Sequence, residues 1–257
     1  MAEGTGDLGQ VAAEASTCTR CRLHSGRTQV VFGQGSPTAD LMFVGEAPGF
    51  HEDRKGYPFV GPSGQLLTRL LSEIDIRRED VYICNVVKCR PPSNRDPQSD
   101  EIAACRGWLD AQLRLIDPKV VVTLGNFAAR TLLGTTTGIT RLRGRTYEFQ
   151  DRVLLPTFHP SAALRADTSG RTENRTLKGM REDFQALAKL LGELPPPPRE
   201  PAPAPGAAGP AAPREPSPGT AGPAAAPPAS APPRATAPAP PAPPEGREPG
   251  SEQLGLF

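Results

Sequence analysis

Four of the five cysteines in the sequence have the spacing of metal ligands. Cys18 and Cys21 form a Cys-x-x-Cys pair, and fifteen residues separate Cys89 from Cys105. Four thiolates from two distant segments can close a zinc site or hold a [4Fe-4S] cluster, because both accept four cysteine ligands. The spacing does not choose between them. Cys84 lies in the apolar run VYICNVV and is interpreted as a small buried hydrophobic residue.

Three further segments place polar side chains directly after apolar runs. Glu46 lies in GEAPG, Asn85 begins NVVKCRPPSNR after its apolar run, and His159 lies in HPSAALR. Open parallel sheets bind ligands at the edge formed by the carboxyl ends of their strands. If the apolar runs are strands of one sheet, the three segments meet at that edge and form a binding site.

Hydrophobic patterns predict the elements that position these side chains. Four β-rich runs are apolar nearly throughout, which is typical of parallel strands covered on both faces. They are ADLMFVG ending at Gly45, DVYICNVV ending at Val87, KVVVTLG ending at Gly125 and RVLLPTFHP ending at Pro160. Helical patterns alternate with these runs. The sequence therefore predicts an α/β fold, a three-layer α/β/α sandwich around a central four-stranded, mainly parallel sheet.

Three helices are predicted between and after the strands. Asp96 or Ser99 is expected to cap one that runs towards Leu115. The other two show apolar residues at helical spacing on one face. These are Leu66, Leu67, Leu70, Leu71 and Ile74 in the first, and Leu177, Met180, Phe184, Leu187 and Leu191 in the last, which covers about residues 173–191.

Composition divides the chain into four regions. Residues 195–250 contain 22 of the 32 prolines and no aromatic residue, so this segment cannot bury enough apolar surface to offset the entropy of ordering it. We expect a disordered Pro/Ala/Gly-rich linker there. Residues 1–16 are expected to be a flexible N-terminus, residues 17–194 the folded domain, and residues 251–257 a separate peptide.

Charge and hydropathy exclude some classes of function. The formal net charge is +1, so net charge alone does not indicate a nucleic-acid partner. No apolar run approaches membrane-spanning length, and the first residues lack the layout of a signal peptide. We therefore expect a cytoplasmic protein, associated with the nucleoid if it acts on DNA. A monomer is expected as well. In a reducing compartment the cysteines favour metal binding over disulfides.

The combined motifs resemble the family 4 uracil-DNA glycosylases. GEAPG, HEDRKGYPFVGPSGQLL, NVVKCRPP and HPSAALR occur in that family's order, with CTRC ahead of them and a cysteine beyond KCRPP. The resemblance covers about residues 17–191. It implies removal of uracil from DNA and a [4Fe-4S] cluster, with zinc as the alternative. The four implied ligands are Cys18, Cys21, Cys89 and Cys105.

The resemblance also implies a pocket for a uracil flipped out of DNA. Phe59 would stack on the ring, and Asn85 would offer a donor and an acceptor to its Watson-Crick edge. The chain around Glu52 would help to close the wall that excludes thymine. The backbone of Ala47 and Pro48 would line the rest of the pocket.

Two residues are implied to be catalytic. His159 would stabilise negative charge on the departing base, much as an oxyanion hole does. Glu46 would position the attacking water and favour the cationic sugar. The best-known uracil glycosylases carry an Asp where this chain has Ala47, so the division of labour between Glu46 and His159 stays open.

DNA contacts are expected on two loops. The first runs from Ser161 to Arg165 and would enter the minor groove, with Arg165 as a candidate phosphate contact. Leu164 is either a wedge into the gap left by the flipped base or a buried residue at the start of a helix. Arg141 and Arg143 in ITRLRG are candidate contacts to the DNA backbone.

Two alternatives to catalytic turnover remain. A related group traps uracil covalently, but it carries GEQPG and a histidine-containing loop, whereas this chain has GEAPG and CRPPSNRDPQ. The second alternative is an inactive iron-sulfur module that binds DNA. The two differing motifs favour turnover over trapping, and the intact set of Glu46, Phe59, Asn85 and His159 argues against the inactive module.

The sequence closes with QLGLF, which resembles the pentapeptide that docks bacterial repair and replication proteins on the β sliding clamp. Leu254 would enter one apolar pocket, Leu256 and Phe257 a neighbouring one, and Gln253 would supply hydrogen bonds. The alternative is an apolar terminus without a partner.

Overall fold

The computed structural model describes residues 7–166 and 174–193. The predicted linker and the QLGLF peptide lie outside these residues. The helices are α1 (Leu8–Ser16), α2 (Phe50–Lys55), α3 (Pro62–Ser72), α4 (Ser99–Ile116), α5 (Gly125–Leu133), α6 (Ile139–Leu142), α7 (Pro160–Ala166) and α8 (Arg175–Glu193). The strands are β1 (Gln34–Gly35), β2 (Leu41–Gly45), β3 (Tyr82–Asn85), β4 (Val120–Leu124), β5 (Tyr147–Phe149) and β6 (Arg152–Thr157). Within the described ranges no helix is long and apolar enough to cross a membrane.

The strands form one six-stranded sheet in the order β1-β3-β2-β4-β6-β5. The four predicted strands are its parallel centre, and β1 and β5 add antiparallel edges. The sequence thus predicted four of the six strands in the sheet. The edge strands have two and three residues, too few to produce a recognisable hydrophobic pattern. In the register, Gly45 lies opposite Asn85, so β2 and β3 end at the same level.

Alternate residues of each central strand face opposite layers of helices. In β2, Met42 and Val44 point into a core shared with α1, α4 and α5, whereas Leu41 and Phe43 point into a core shared with α3, α7 and α8. Burial on both faces explains why the central strands are apolar throughout. The three-layer α/β/α arrangement is confirmed.

Two helix predictions need correction at their starts. Residues 8–16, expected to be flexible, form α1, and Asp7 caps it by accepting a hydrogen bond from the Gly9 amide at 3.3 Å. Small residues such as Ala15, which is fully buried, make a face too weak to recognise in the sequence. Helix α4 is capped by Gln98 and not by Asp96 or Ser99, because Gln98 and Glu101 form a reciprocal capping box.

Arg143 was predicted to contact DNA, and the structure gives it another role. Its Nε and Nη2 atoms donate to the two carboxylate oxygens of Asp183 in α8, each at 2.9 Å, and Nη2 also donates to the Gly179 carbonyl at 2.5 Å. Asp183 is 1% exposed and accepts a further hydrogen bond from Thr157. Arg143 therefore links the end of α6 to α8, and its Nε and Nη2 donors are occupied by acceptors of the protein itself.

Replacing Arg143 with Ala is expected to destabilise the fold by about 3–5 kcal/mol, because it leaves the Asp183 carboxylate buried without a counter-charge. Urea denaturation would measure the change. The neighbouring Arg141 is exposed, so Arg141→Ala is the matched control and is expected to change stability by less than about 0.5 kcal/mol. Equal effects of the two substitutions would contradict this role for Arg143.

Candidate active site and cysteine cluster

A cleft of about 1050 Å³ opens at the carboxyl edge of the sheet. The segments that follow β2, β3 and β6 line it, as the strand pattern predicted, and the start of α5 after β4, which was not predicted, lines it as well. It brings together nine of the predicted site residues: Glu46, Ala47, Pro48, Glu52, Phe59, Asn85, His159, Ser161 and Arg165. Three predicted DNA contacts, Leu164, Arg141 and Arg143, are outside its lining.

Asn85 presents an unpaired polar atom at the base of this cleft. The residue is 1% exposed, and its Oδ1 atom has no hydrogen-bond partner among the described residues. A buried acceptor without a donor costs about 1–3 kcal/mol. Because the strand end fixes the backbone of Asn85, this acceptor is held ready for a donor carried by a ligand.

Phe59 lies near the Asn85 side chain, in a turn whose backbone is constrained. Its φ of 52° is left-handed, and its ring centroid is 5.7 Å from that of His159, at an interplanar angle of 34°. Glu52 holds the turn, since its Oε1 accepts hydrogen bonds from the amides of Val60 and Gly61 at 3.0 Å each. The segment that contains Glu52 thus shapes the wall next to the Phe59 ring.

Gly45 allows Asn85 and Phe59 to converge. A Cβ atom on Gly45 would lie 2.4 Å from Asn85 Oδ1 and 2.7 Å from Phe59 Cζ. We expect Gly45→Ala to cost about 1–3 kcal/mol of stability through overpacking. Urea denaturation checks this, with Gly192→Ala as the control, because a Cβ atom on Gly192 meets nothing within 4 Å. A Gly45→Ala protein as stable as the control variant would show that Asn85 and Phe59 can move to accommodate the added methyl group.

His159 is held as a neutral imidazole. The Ser161 amide donates to its Nδ1 atom at 3.1 Å, and Ser161 Oγ lies 2.8 Å from the same nitrogen. An accepting Nδ1 leaves the proton on Nε2. Burial first, and then the positive charge of Arg165, lower the pKa of His159 to about 4, although Glu52 opposes the shift. The ring therefore offers an N–H donor at neutral pH.

Glu46 is a cleft residue whose pKa is shifted towards neutrality. Its pKa is raised to about 7, chiefly by burial and then by the Asp96 carboxyl group, which lies within hydrogen-bonding reach. A carboxyl group poised near 7 suits general acid or base work. Sequence reasoning considered Asp96 only as a helix cap, because its approach to Glu46 depends on the loop between β3 and α4.

The predicted DNA contacts have different surroundings. Ser161 is partly buried and turned onto His159, so it orients the imidazole. Leu164 is 40% exposed on α7, which suits a wedge, and Arg165 is exposed at the cleft. Sequence reasoning missed Phe50, which is 46% exposed on the cleft rim. The guanidinium groups of Arg54 and Arg90 lie 5.5 Å and 5.2 Å from its ring centroid.

The four predicted cysteine ligands line one small void, separate from the cleft. They are Cys18, Cys21, Cys89 and Cys105. The Arg20 guanidinium covers the adjacent Trp108 ring at 4.1 Å from its centroid. Cys84 is fully buried, as predicted, and is not among the residues that line this void.

Zinc and a [4Fe-4S] cluster arrange four cysteine ligands in different ways. In the described part of the chain no three His, Cys, Asp or Glu side chains are grouped to hold a single metal ion. A lone zinc ion needs all four sulfurs at about 2.3 Å from one point. A [4Fe-4S] cluster instead distributes its four cysteine ligands over four irons and so suits thiols that surround a volume.

Two of these sulfurs each accept one hydrogen bond. Arg27 Nη1 donates to Cys89 Sγ at 3.2 Å, and the Lys88 amide donates to Cys105 Sγ at 3.2 Å. Burial raises the pKa of the Cys105 thiol to about 11 and also raises that of Cys89. Donors aimed at sulfur are typical of an iron-sulfur centre, where such bonds tune the cluster.

Comparison with known proteins places these sites in a family context. The model of the Uracil DNA glycosylase superfamily matches residues 32–185. The chain is 42% identical over 193 residues to a type-4 uracil-DNA glycosylase of Sulfurisphaera tokodaii, covering 71% of this chain and 84% of the relative. The type-4 enzyme of Thermotoga maritima is 50% identical over 157 residues, 60% of this chain and 82% of the relative. That of Archaeoglobus fulgidus is 42% identical over 195 residues, 73% of this chain and 92% of the relative.

Proposed function

The chain belongs to the uracil DNA glycosylase superfamily, and from this premise we propose that it hydrolyses the N-glycosidic bond of uracil in DNA. The product is an abasic site, from which base excision repair begins. The observation that carries the proposal is the unpaired Oδ1 atom of Asn85, buried beside the Phe59 ring and the neutral His159. A uracil flipped out of the duplex meets all three groups.

Uracil recognition follows from the hydrogen-bond pattern of its edge. Uracil carries an N3–H donor, which Asn85 Oδ1 accepts, and an O4 acceptor, which the Asn85 amide donates to. Cytosine reverses both, with an acceptor at N3 and an amino donor at C4. Cytosine would therefore set acceptor against acceptor and donor against donor at the buried Asn85 side chain. Phe59 stacks on the ring and fixes its plane.

Bond cleavage separates a negative base from a positive sugar. His159 donates its Nε2 proton in a hydrogen bond to uracil O2, where negative charge develops, and the ring stays neutral because its Nδ1 atom accepts from Ser161. The Glu46 carboxylate orients the attacking water and favours the cationic sugar. Stabilisation of the leaving base thus belongs to His159, and activation of water to Glu46.

DNA binding uses the rim of the cleft. Leu164 fills the space vacated by the flipped nucleotide, Arg165 contacts a phosphate, and the exposed Arg141 adds a contact to the backbone. Phe50 offers a face on which a neighbouring unpaired base stacks. These contacts are independent of sequence, as a search for uracil requires.

The proposal is tested with two oligonucleotides that differ only in one uracil or thymine. After incubation with the protein and heating in alkali, strand cleavage at uracil alone is expected. Absence of cleavage by a protein that binds both oligonucleotides would overturn the proposal and favour an inactive DNA-binding module. A covalent adduct on a denaturing gel would indicate uracil trapping instead.

We further propose that Cys18, Cys21, Cys89 and Cys105 hold a [4Fe-4S] cluster. When bound, it supplies a structural centre that ties the first cysteine pair to the segment after β3 and to α4. The surrounding volume and the donors to sulfur support iron-sulfur over zinc. Four irons per chain and a broad visible absorption are expected of the purified protein; one zinc per chain would overturn the assignment.

The QLGLF peptide, which lies outside the described residues, is proposed to dock on a β sliding clamp. Deleting residues 253–257 is expected to abolish clamp binding in a pull-down or by surface plasmon resonance, because the apolar anchors are lost. The same deletion should leave excision from a short oligonucleotide unchanged. Equal clamp affinity of the full-length and shortened chains would contradict the proposal.

A further inference from the structure

Lys88 is a lysine buried in the core of the domain. It is 1% exposed, and its Nζ atom donates to the Asn85 carbonyl oxygen at 2.7 Å and to Gln112 Oε1 at 2.5 Å. Within residues 7–166 and 174–193 no carboxylate forms an ion pair with it. A buried ammonium group is costly unless a counter-charge balances it. The two neutral acceptors take two of its three donors and leave its charge unbalanced; Nζ also lies 5.9 Å from the Phe32 ring centroid and interacts with the Cys84 thiol.

Gln112 cannot rotate to relieve this arrangement. Its Nε2 donates to the Phe32 carbonyl at 2.8 Å and to the Tyr82 hydroxyl at 3.1 Å, which fixes Oε1 towards Lys88. The ammonium group is therefore held at one place, between the cysteine void and the uracil-reading strand end. Its position follows from a connected set of buried hydrogen bonds.

The same residue also contacts the cysteine site. Its backbone amide donates to Cys105 Sγ at 3.2 Å, and the next residue in the chain is Cys89. Lys88 also lines the void shared by the four cysteines. Four thiolates that hold a metal centre here would therefore place negative charge close to Lys88.

We propose that Lys88 couples the metal centre to uracil recognition. The thiolates of the centre balance the charge of the ammonium group, and the ammonium group in turn fixes the Asn85 backbone so that the side-chain amide meets the uracil edge. Lys88 is a positioning residue, because it acts through Asn85 and does not touch the base. This inference rests on the proposed function and on the proposed cluster.

The test compares Lys88→Met, which keeps the length of the side chain and removes its charge, with Lys178→Met on the exposed surface of α8. The first readout is the midpoint potential of the bound cluster by spectroelectrochemistry. Loss of a nearby positive charge disfavours the reduced, more negative cluster, so Lys88→Met is expected to shift the potential to lower values. Lys178→Met is expected to leave it unchanged.

The second readout is a double-mutant cycle with Asn85. Lys88→Met is expected to lower kcat/KM for uracil by about 10- to 100-fold, as loss of a residue that orients a site does. In an Asn85→Ala background it should have little further effect. Lys88→Arg, which retains the charge and the donors, should recover part of the loss.

Gln112→Glu provides a test if Lys88→Met does not fold. A carboxylate at this position adds negative charge beside the ammonium group, so the potential should again fall while Lys88 still holds Asn85. An unchanged potential in a fully loaded Lys88→Met or Gln112→Glu protein would overturn the charge contact, and additive effects in the cycle would overturn the coupling. If the wild-type chain does not excise uracil but the potential shifts, the proposed function fails and the charge contact stands.

Discussion

Asn85→Ala is expected to lower kcat/KM for uracil excision by about 10³-fold or more. Loss of a single preorganised donor in a catalytic site costs about 10²–10³-fold, and Asn85 supplies an acceptor as well. Sites built around buried hydrogen bonds discriminate by larger factors than apolar pockets do. Single-turnover excision from uracil-containing single and double strands measures the loss.

Affinity for uracil-free DNA should be unchanged in the same variant, because Asn85 is buried and contacts only the flipped base. Asn85→Asp is the matched control, since it keeps the shape and the acceptor but removes the donor. Uracil excision should stay low in Asn85→Asp, and the preference for uracil over cytosine should fall. An Asn85→Ala protein within threefold of the wild type would show that another group reads the base.

The parallel central strands were predictable because their burial requires a run of apolar residues in the sequence. Strands buried on both faces must be apolar at nearly every position, as β2 and β4 are, and this pattern needs no knowledge of their partners. The edge strands β1 and β5 depend on pairing with β3 and β6. Their few residues carry no pattern of their own.

The candidate site was predictable where a side chain directly follows a strand. Asn85 ends β3, and His159 follows β6 by two residues, so topology alone brings them together. Asp96, Phe50 and Lys88 were missed because their roles depend on contacts that the sequence does not show.

Arg143 illustrates the same limit. The alternating arginines of ITRLRGR suggested a DNA-facing surface, but the partner of Arg143 is Asp183, forty residues along the chain. Residue type and local spacing indicate that a charge is present. They do not indicate whether a distant carboxylate already binds it.

His159→Ala is expected to lower the rate of uracil excision by about 10²–10³-fold, the usual cost of removing one donor to a developing negative charge. His159→Gln keeps an N–H donor and should retain part of the activity. Both variants should bind uracil-free DNA as the wild type does. A His159→Gln protein no better than His159→Ala would show that the imidazole does more than donate a hydrogen bond.

The pH profile separates the two catalytic groups. Burial lowers the pKa of His159 to about 4, so the imidazole is already neutral at pH 5 and does not titrate between pH 5 and 9. The pKa of Glu46 is about 7, and its carboxylate form is the one that orients water. Excision should therefore rise about tenfold per pH unit below 7 and level off above it. His159→Ala should keep this rise at a lower rate, whereas Glu46→Gln should abolish it; a rise that survives in Glu46→Gln would assign the titration to another group.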